Sequence, residues 1–146
     1  MKRSALLLLT PLLLAGCVNQ SASYYIDGPD HSLTLRAEQE YFWSDALDVK
    51  MVAAHLPGCQ RQFPMTILPA AELQIELYSA GDNVYSLRAG KQVMRIETGT
   101  CTRLPEPTSE ELGQSLGTFK LNADKKMVFE KNPAGANTAA PAPQAN

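Results

Sequence analysis

Hydrophobic and polar side chains alternate along much of the chain between residues 31 and 131, and this pattern predicts mainly β-strands. Alternation with a period of two is typical of a strand that is buried on one face only. The stretch from His31 to Trp43 shows it most clearly. Its predicted inner face is apolar and carries Leu33, Leu35, Ala37, Tyr41 and Trp43. Its predicted outer face is mostly polar and carries Thr34, Arg36, Glu38, Glu40 and Phe42.

Further strands are predicted where apolar stretches recur between turn-forming residues. They cover residues 62–68, 73–77, 84–87, 93–98, 118–121 and 127–130. The turns between them contain glycine, asparagine and aspartate, which tolerate the backbone angles that tight turns need. We expect residues 105–113 to form a loop with a short helical turn. Six to eight short strands of this kind are typical of a small antiparallel sandwich or barrel.

Residues 44–55 fit two structures. They fit a helix, with Ser44 as the N-cap residue and Pro57-Gly58 as the stop. They fit equally a strand whose inner face carries Leu47, Val49, Met51 and Ala53. We favour the strand, because another extended segment follows soon after Pro57-Gly58.

The N-terminus has the features of a secretory signal. Lys2 and Arg3 give it a positive charge, and an apolar stretch from Ala5 to Leu14 follows. This stretch is too short to span a bilayer, which takes about 20 apolar residues in a helix. We therefore predict that residues 1–16 are a signal peptide and are removed from the mature chain.

The residues that end this signal, Leu14-Ala15-Gly16-Cys17, resemble a bacterial lipobox. On these four residues, and on the first 17 residues only, the chain is identified as a member of the bacterial lipoprotein class. The resemblance implies that the Cys17 sulfur carries a diacylglycerol, that a peptidase cuts just before Cys17, and that the new amino group is acylated. Because Val18 rather than an aspartate follows Cys17, it also implies sorting to the outer membrane, facing the periplasm.

Composition divides the mature chain into a tether, one domain and a tail. Residues 17–30 are mostly polar, with Tyr24-Tyr25-Ile26 as their apolar cluster, and we predict a lipidated tether whose tyrosines are able to dock onto the domain. Residues 31–131 are the predicted β-rich periplasmic domain. Residues 132–146 consist mainly of alanine, proline, asparagine, glycine and glutamine, a composition that predicts disorder.

The charge balance argues against nucleic acid as a partner. The chain has 13 basic and 15 acidic residues, and two of the basic residues leave with the signal. The mature chain is therefore acidic and has no basic cluster, whereas nucleic-acid binding needs a basic surface. Nothing after residue 17 is apolar for long enough to cross a membrane, so the lipid is the predicted anchor.

Three cysteines are present, and lipidation of Cys17 leaves Cys59 and Cys101 as a pair. In an oxidising compartment such a pair is expected to form a disulfide. A bridge that closes a loop of about 43 residues contributes roughly 4 kcal/mol to stability. The alternative is a zinc site made by His55 with both cysteines, since catalytic zinc takes three protein ligands. We favour the disulfide and predict no metal site, because no other closely spaced cysteine or histidine accompanies them.

Other residues that could carry chemistry have simpler interpretations. Residues 113–117 match the G-x-S-x-G pattern of a nucleophile elbow, but both histidines precede Ser115, in the wrong chain order. The carboxylate pairs Glu38 with Glu40 and Glu110 with Glu111 are most simply solvated. Core packing is favoured over a copper site for four methionines, which are Met51, Met65, Met94 and Met127. We therefore predict no catalytic residue and no cofactor.

The densest aromatic cluster, Tyr41, Phe42 and Trp43, is the candidate contact surface, and packing in the core or at a sheet edge is its simpler interpretation. We expect a lipid-anchored envelope protein whose small non-catalytic β domain acts in protein–protein interaction or envelope assembly, with another envelope protein as its partner. The alternative is a small binding module, such as an inhibitor of a periplasmic hydrolase or a ligand carrier. An enzyme is the third and least favoured class.

Overall fold

The computed structural model describes residues 19–108 and 111–133. Within these residues the chain forms ten strands and one short 3₁₀ helix, Ala70–Glu72. The strands are β1 (Asn19–Tyr25), β2 (His31–Gln39), β3 (Ala46–His55), β4 (Cys59–Pro69), β5 (Gln74–Gly81), β6 (Val84–Ala89), β7 (Gln92–Glu97), β8 (Thr102–Leu104), β9 (Gln114–Leu121) and β10 (Met127–Lys131). The predicted signal peptide, Cys17 and almost all of the predicted tail lie outside the described residues.

The strands form two sheets that enclose one apolar core. The first sheet has the order β1-β2-β3-β4, and the second has the order β10-β9-β5-β6-β7-β8. Every pair of neighbouring strands is antiparallel. The predicted mainly β, antiparallel sandwich is therefore confirmed. Its described part has two strands more than the upper limit of the prediction, and these are β1 and β8.

The alternating apolar positions supply the core. In the first sheet the buried side chains include Leu33, Leu35, Ala37, Leu47, Val49, Met51 and Ala53. In the second sheet they include Ile75, Leu77, Leu87, Met94, Ile96 and Phe119. Burial of each large apolar side chain stabilises the fold by about 1.5–3 kcal/mol. Residues 44–55 fitted either a helix or a strand. The favoured strand is confirmed, since residues 46–55 form a strand and not a helix.

Residues 19–25, which composition assigned to the tether, instead form strand β1. This strand pairs with β2 in continuous register, from Asn19 opposite Glu38 to Tyr25 opposite Ser32. The Tyr24 ring packs against the second sheet. The tether prediction is corrected for these residues, because one face of an antiparallel sheet can stay in water and a polar sequence can therefore form its edge strand.

Two of the predicted tight turns have the positive φ angles that such turns need. Asp82 and Asn83 connect β5 to β6 with φ angles of 47° and 62°, and Gly90 lies between β6 and β7 with a φ of 59°. Asparagine, aspartate and glycine are the residues that adopt this left-handed conformation at the lowest cost. Residues 105–108 form a loop, and the predicted helical turn after them falls partly outside the described residues.

Candidate functional site

A loop with three exposed aromatic side chains connects β2 to β3. We call residues 40–45 the aromatic loop. Tyr41, Phe42 and Trp43 are 47%, 67% and 70% exposed. The Tyr41 and Trp43 rings stack with centroids 5.0 Å apart, and the Phe42 and Trp43 rings form a T-shaped pair with centroids 4.8 Å apart. The three rings therefore form one small apolar surface that faces solvent.

This arrangement corrects the predicted inward orientation of Tyr41 and Trp43. Both residues are an even number of positions from Leu33 and Leu35, so alternation places them on the same face. Strand β2 ends at Gln39, however, and alternation predicts the direction of side chains only within a strand. A bend fixed by local hydrogen bonds takes over. The Ser44 amide donates to the Tyr41 carbonyl at 3.0 Å, and the Ala46 amide donates to the Ser44 hydroxyl at 3.1 Å.

The backbone of the aromatic loop is also tied to the sandwich. The Gln39 side-chain amide donates to the Ser44 carbonyl. The Ala70 amide, at the end of β4, donates to the Asp45 carbonyl at 2.8 Å. These bonds tie the backbone of the loop to the sandwich at Ser44 and Asp45.

An open groove of about 490 Å³ lies beside these rings. Phe42 and Trp43 line it together with residues of β1, β2, β9 and the β9–β10 connection, namely Gln20, Gln39, Leu121, Asp124 and Lys125. The Met127 amide donates to the Gln20 side-chain oxygen at 3.2 Å, which joins β1 to β10 at this end of the sandwich. The groove is therefore built from both sheets.

The start of β1 lies at the same end of the sandwich as the aromatic loop. Asn19 pairs with Glu38 in β2, and the aromatic loop begins only two residues after Glu38. Because β1 and β2 are antiparallel, the chain enters the first sheet where β2 leaves it. The groove residue Gln20 confirms that this entry point and the aromatic rings are neighbours.

A second cluster forms at the opposite end, where the sequence showed only isolated residues. His31 and His55 face each other across β2 and β3, and their rings stack with centroids 4.1 Å apart. His31 Nε2 lies 2.9 Å from the buried Thr98 hydroxyl, and His55 Nδ1 lies 3.2 Å from the Gly99 carbonyl. We call His31, His55 and Thr98, with the disulfide beside them, the histidine cluster.

The Cys59–Cys101 disulfide confirms the predicted pairing and belongs to this end of the molecule. It joins the start of β4 to the turn after β7, with the two Cα atoms 6.0 Å apart. Both sulfurs are used in this bond, so neither is a thiolate ligand for the alternative zinc site with His55. In residues 19–108 and 111–133, no group of three or more histidine, cysteine, aspartate or glutamate side chains is placed to hold a metal ion.

The electrostatics of the histidine cluster follow from its burial. Desolvation lowers the pKa of His31 below its ordinary 6.5, and the nearby His55 lowers it further, while Asp27 and Glu97 act in the opposite direction. Hydrogen bonds from Thr100, and one from the Gly99 amide, lower the pKa of Glu97. Its carboxylate accepts the Gly99 and Thr100 amides at 2.6 and 2.9 Å, so it organises the turn after β7.

The G-x-S-x-G residues do not form a nucleophile elbow. Ser115 lies in strand β9, and the Asn132 side chain donates to its hydroxyl at 3.2 Å. The two glycines have packing reasons instead. A Cβ atom on Gly113 would lie 2.1 Å from the Ser79 carbonyl oxygen, and one on Gly117 would lie 2.3 Å from the Glu130 carbonyl oxygen. The match is therefore explained by close strand contacts.

The remaining candidate residues form an ion pair, are exposed to solvent or pack in the core. Lys50 pairs with Glu38 at 2.9 Å, and this hydrogen bond lowers the pKa of the glutamate. Glu40 and Glu111 are exposed, and Glu110 lies outside the described residues. All four methionines are buried or nearly so, at 0–6% exposure, which confirms core packing for Met51, Met65, Met94 and Met127.

No protein-family model, no curated protein and no solved structure matches the chain. In residues 19–108 and 111–133, no helix is long and apolar enough to cross a membrane.

Proposed function

We propose that this chain is a lipid-anchored envelope protein whose β-sandwich acts by contact with a neighbouring component of the envelope rather than by catalysis. The observation that carries the proposal is the aromatic loop. Three consecutive large aromatic side chains stay exposed there in a backbone that hydrogen bonds hold in place. Exposed apolar patches and aromatic side chains are typical of contact surfaces.

The lipobox supplies the other half of the proposal. Lipid on Cys17 would confine the domain to a membrane surface and raise its effective concentration near components fixed in the same membrane. A small contact surface is sufficient under these conditions. Two or three acyl chains make such an anchor effectively permanent, whereas a single chain binds only marginally.

The surroundings of the polar candidates also favour contact. His31 lies against Thr98, His55 against the Gly99 carbonyl, and Ser115 against Asn132. Each of these groups thus has a structural partner within the sandwich. Glu111, the fourth candidate, is exposed, and its carboxylate accepts the amide of Thr108 at 3.3 Å.

Mass spectrometry of the mature N-terminus tests the anchor. The full chain is expressed in bacterial cells and purified from the membrane fraction. The N-terminal peptide is expected to begin at Cys17 and to carry a thioether-linked diacylglycerol and an amide-linked acyl chain. Cys17→Ser is expected to carry no lipid and to leave the membrane fraction. An unmodified Cys17, or a Cys17→Ser chain that stays firmly membrane-bound after signal cleavage, would contradict the proposal.

Complementation tests the contact role. The chain is removed from its own host and re-expressed as single variants, with envelope integrity measured by dye exclusion. Ala variants of Ser115, His31, His55 and Glu111 should retain the role, whereas Phe42→Asp combined with Trp43→Asp should lose it while the protein stays folded and anchored. A folded, anchored Ala variant that loses the role would favour an enzyme.

The groove favours a second candidate, a small binding module. Its aromatic wall and its volume of about 490 Å³ are suited to a single apolar chain or ring. The soluble Cys17→Ser chain can be titrated with monomeric lysophosphatidylcholine while the fluorescence of Trp43 is followed. A saturable change with one-to-one stoichiometry would favour the module, and an unchanged emission would speak against it.

A further inference from the structure

The exposed apolar side chains of the described residues are concentrated at one end of the sandwich. Six large hydrophobic side chains are exposed, and three of them are the consecutive rings of the aromatic loop. Two others, Tyr25 and Leu56, lie at the opposite end, and Ile67 lies on the edge strand β4. The aromatic loop is therefore the densest apolar feature that the domain presents to its surroundings.

The distance between this feature and Cys17 is limited by covalent geometry. Strand β1 begins at Asn19, so only Val18 separates Cys17 from the first sheet. Consecutive Cα atoms are about 3.8 Å apart, so the Cys17 Cα lies within about 7.6 Å of the Asn19 Cα. A lipid on Cys17 therefore enters the membrane beside the end of the sandwich that carries the aromatic loop.

We propose that the aromatic loop contacts the interfacial region of the same bilayer that holds the lipid of Cys17. This inference rests on the proposed lipidation and names the component that the contact surface binds. Phe42 and Trp43 lie among the headgroups and the upper acyl chains, and Tyr41 lies at their margin. Tryptophan and tyrosine are enriched at this depth because each has an apolar ring and a polar group that stays in contact with water.

The short link favours the bilayer over a protein as the occupant. With one residue between Cys17 and β1, the end of the sandwich is held against the headgroups. A protein partner on the aromatic loop would have to enter the narrow space between the domain and the membrane. The bilayer interface already adjoins this end of the sandwich, and burying the rings in it removes their apolar surface from water.

The consequence of this contact is orientation rather than attachment. The acyl chains already make attachment effectively permanent. One covalent point leaves the domain free to tilt, whereas a second point at the aromatic loop fixes the long axis of the sandwich against the membrane. The histidine cluster then points away from the bilayer, since β2 separates His31 from Gln39 by about 26 Å at the usual rise per residue.

Fluorescence of the single tryptophan tests the inference directly. Trp43 is the only tryptophan of the chain. The mature lipidated protein is purified from membranes and placed in vesicles of phosphatidylethanolamine and phosphatidylglycerol, with and without bromine on the acyl chains. In both kinds of vesicle, the emission of Trp43 is expected to lie at shorter wavelength than that of a water-exposed indole. In the brominated vesicles it is also expected to lose most of its intensity.

A matched control moves the tryptophan to the other end of the sandwich. The double variant Trp43→Phe with Tyr25→Trp keeps one tryptophan, now at an exposed position at the opposite end of β1. Its emission is expected to stay that of a water-exposed indole and to be equal in brominated and ordinary vesicles. Equal quenching at positions 25 and 43 would overturn the inferred orientation.

Mass spectrometry of the same sample distinguishes failure of the membrane contact from failure of the proposed anchoring. If Cys17 carries lipid and Trp43 keeps a water-exposed, unquenched emission, the membrane contact is overturned and the proposed anchoring stands. If Cys17 carries no lipid and the chain does not float with vesicles, the proposed function falls and the contact falls with it. Phe42→Ser should remain attached but should show weaker quenching of Trp43, and unchanged quenching would contradict a role for Phe42.

Discussion

His31 and His55 stack face to face across two neighbouring strands, with their ring centroids 4.1 Å apart. They are partners because the β2–β3 register places His31 opposite His55. Burial beside Thr98 lowers the pKa of the His31 ring. The charge of His55 also opposes protonation of His31 and lowers this pKa further.

The domain should therefore lose stability as the pH falls through the histidine range. Burial and the charge of His55 lower the pKa of His31 in the folded state, whereas the unfolded chain regains the ordinary value of 6.5. The stabilising contribution is complete above that value. It is lost as the pH falls toward the lower pKa of the folded state, because the unfolded chain then binds the extra proton.

Melting temperatures measured between about pH 8 and pH 5 check this expectation. The wild type should melt at progressively lower temperature as the pH falls, and His31→Gln should show a flatter profile. His55→Gln should lie between them, since it removes one cause of the lowered pKa and leaves burial. Glu97 titrates below 4.5 and so falls outside the window. A profile that is equally steep in His31→Gln would assign the pH dependence to other groups.

Loss of the disulfide should remove a large part of the stability of the domain. The sequence separation of 42 residues gives roughly 4 kcal/mol in the chain-entropy description. We expect Cys59→Ser combined with Cys101→Ser to lower the free energy of unfolding by about that amount, against a typical total of about 5–15 kcal/mol.

Urea unfolding followed by circular dichroism measures this difference. The experiment uses the Cys17→Ser background, which carries no lipid, and the reduced parent serves as a second comparison. The reduced parent and the double variant should unfold at similar urea concentrations. If reduction leaves the midpoint unchanged, the bond does not provide the stability assigned to it.

Gly113 should tolerate alanine poorly for a reason unrelated to catalysis. Its φ is 93°, and an added Cβ would lie 2.1 Å from the Ser79 carbonyl oxygen. Left-handed backbone costs an ordinary residue about 1–2 kcal/mol, and overpacking commonly costs about 1–3 kcal/mol. We expect Gly113→Ala to lower the free energy of unfolding by more than about 2 kcal/mol, the low end of the combined range.

Two controls separate the causes of this loss. Gly90 also has a positive φ, 59°, but no atom lies within 4 Å of its added Cβ. Gly90→Ala should therefore cost only the free energy of placing alanine in a left-handed backbone. Ser115→Ala removes one hydrogen bond and should cost about 1 kcal/mol. If Gly113→Ala and Gly90→Ala are equally stable in urea, the clash with Ser79 is relieved by movement and is not the cause.

Sequence predicts this fold well where one physical rule governs a segment. Alternation placed Leu33, Leu35 and Ala37 in the core, because strand geometry sends alternate side chains to opposite faces. The same rule failed at Tyr41 and Trp43, where no glycine or proline marks the end of β2. Hydrogen bonds around Ser44 end that strand, and they depend on atoms that a hydrophobic pattern does not describe.

The functional surfaces were harder to predict because they form between distant residues. The pairing of Cys59 with Cys101 followed from counting, since the predicted lipidation of Cys17 left a single pair. His31 and His55 meet only through the register of two strands, and 24 residues apart they give no sequence signal. The proximity of the aromatic loop to the chain entry likewise depends on β1, whose polar composition hid a strand.

The last prediction tests that strand with two adjacent tyrosines. Tyr24 is half-buried, with its ring centroid 6.2 Å from that of Tyr85 and 5.1 Å from that of Phe129, whereas Tyr25 is 60% exposed. If residues 19–25 form β1, Tyr24→Ala should destabilise the domain by about 2 kcal/mol, less than the 3–5 kcal/mol of a fully buried aromatic ring. Tyr25→Ala should stay within about 0.5 kcal/mol of the parent, as surface substitutions usually do.

Hydrogen exchange completes the test, because a tether and a strand differ in their amides. In β1 the amides bonded to β2 should exchange slowly in the parent chain and faster in Tyr24→Ala, while Tyr25→Ala should leave them protected. Equal effects of the two substitutions, with rapid exchange throughout residues 19–25, would restore the tether. The domain would then be able to move away from the membrane on some ten residues of flexible chain, reaching roughly 15–20 Å at the usual coil dimensions. A bilayer contact at Trp43 requires that the domain lack this freedom, so the two tyrosine variants test the structural basis of that contact.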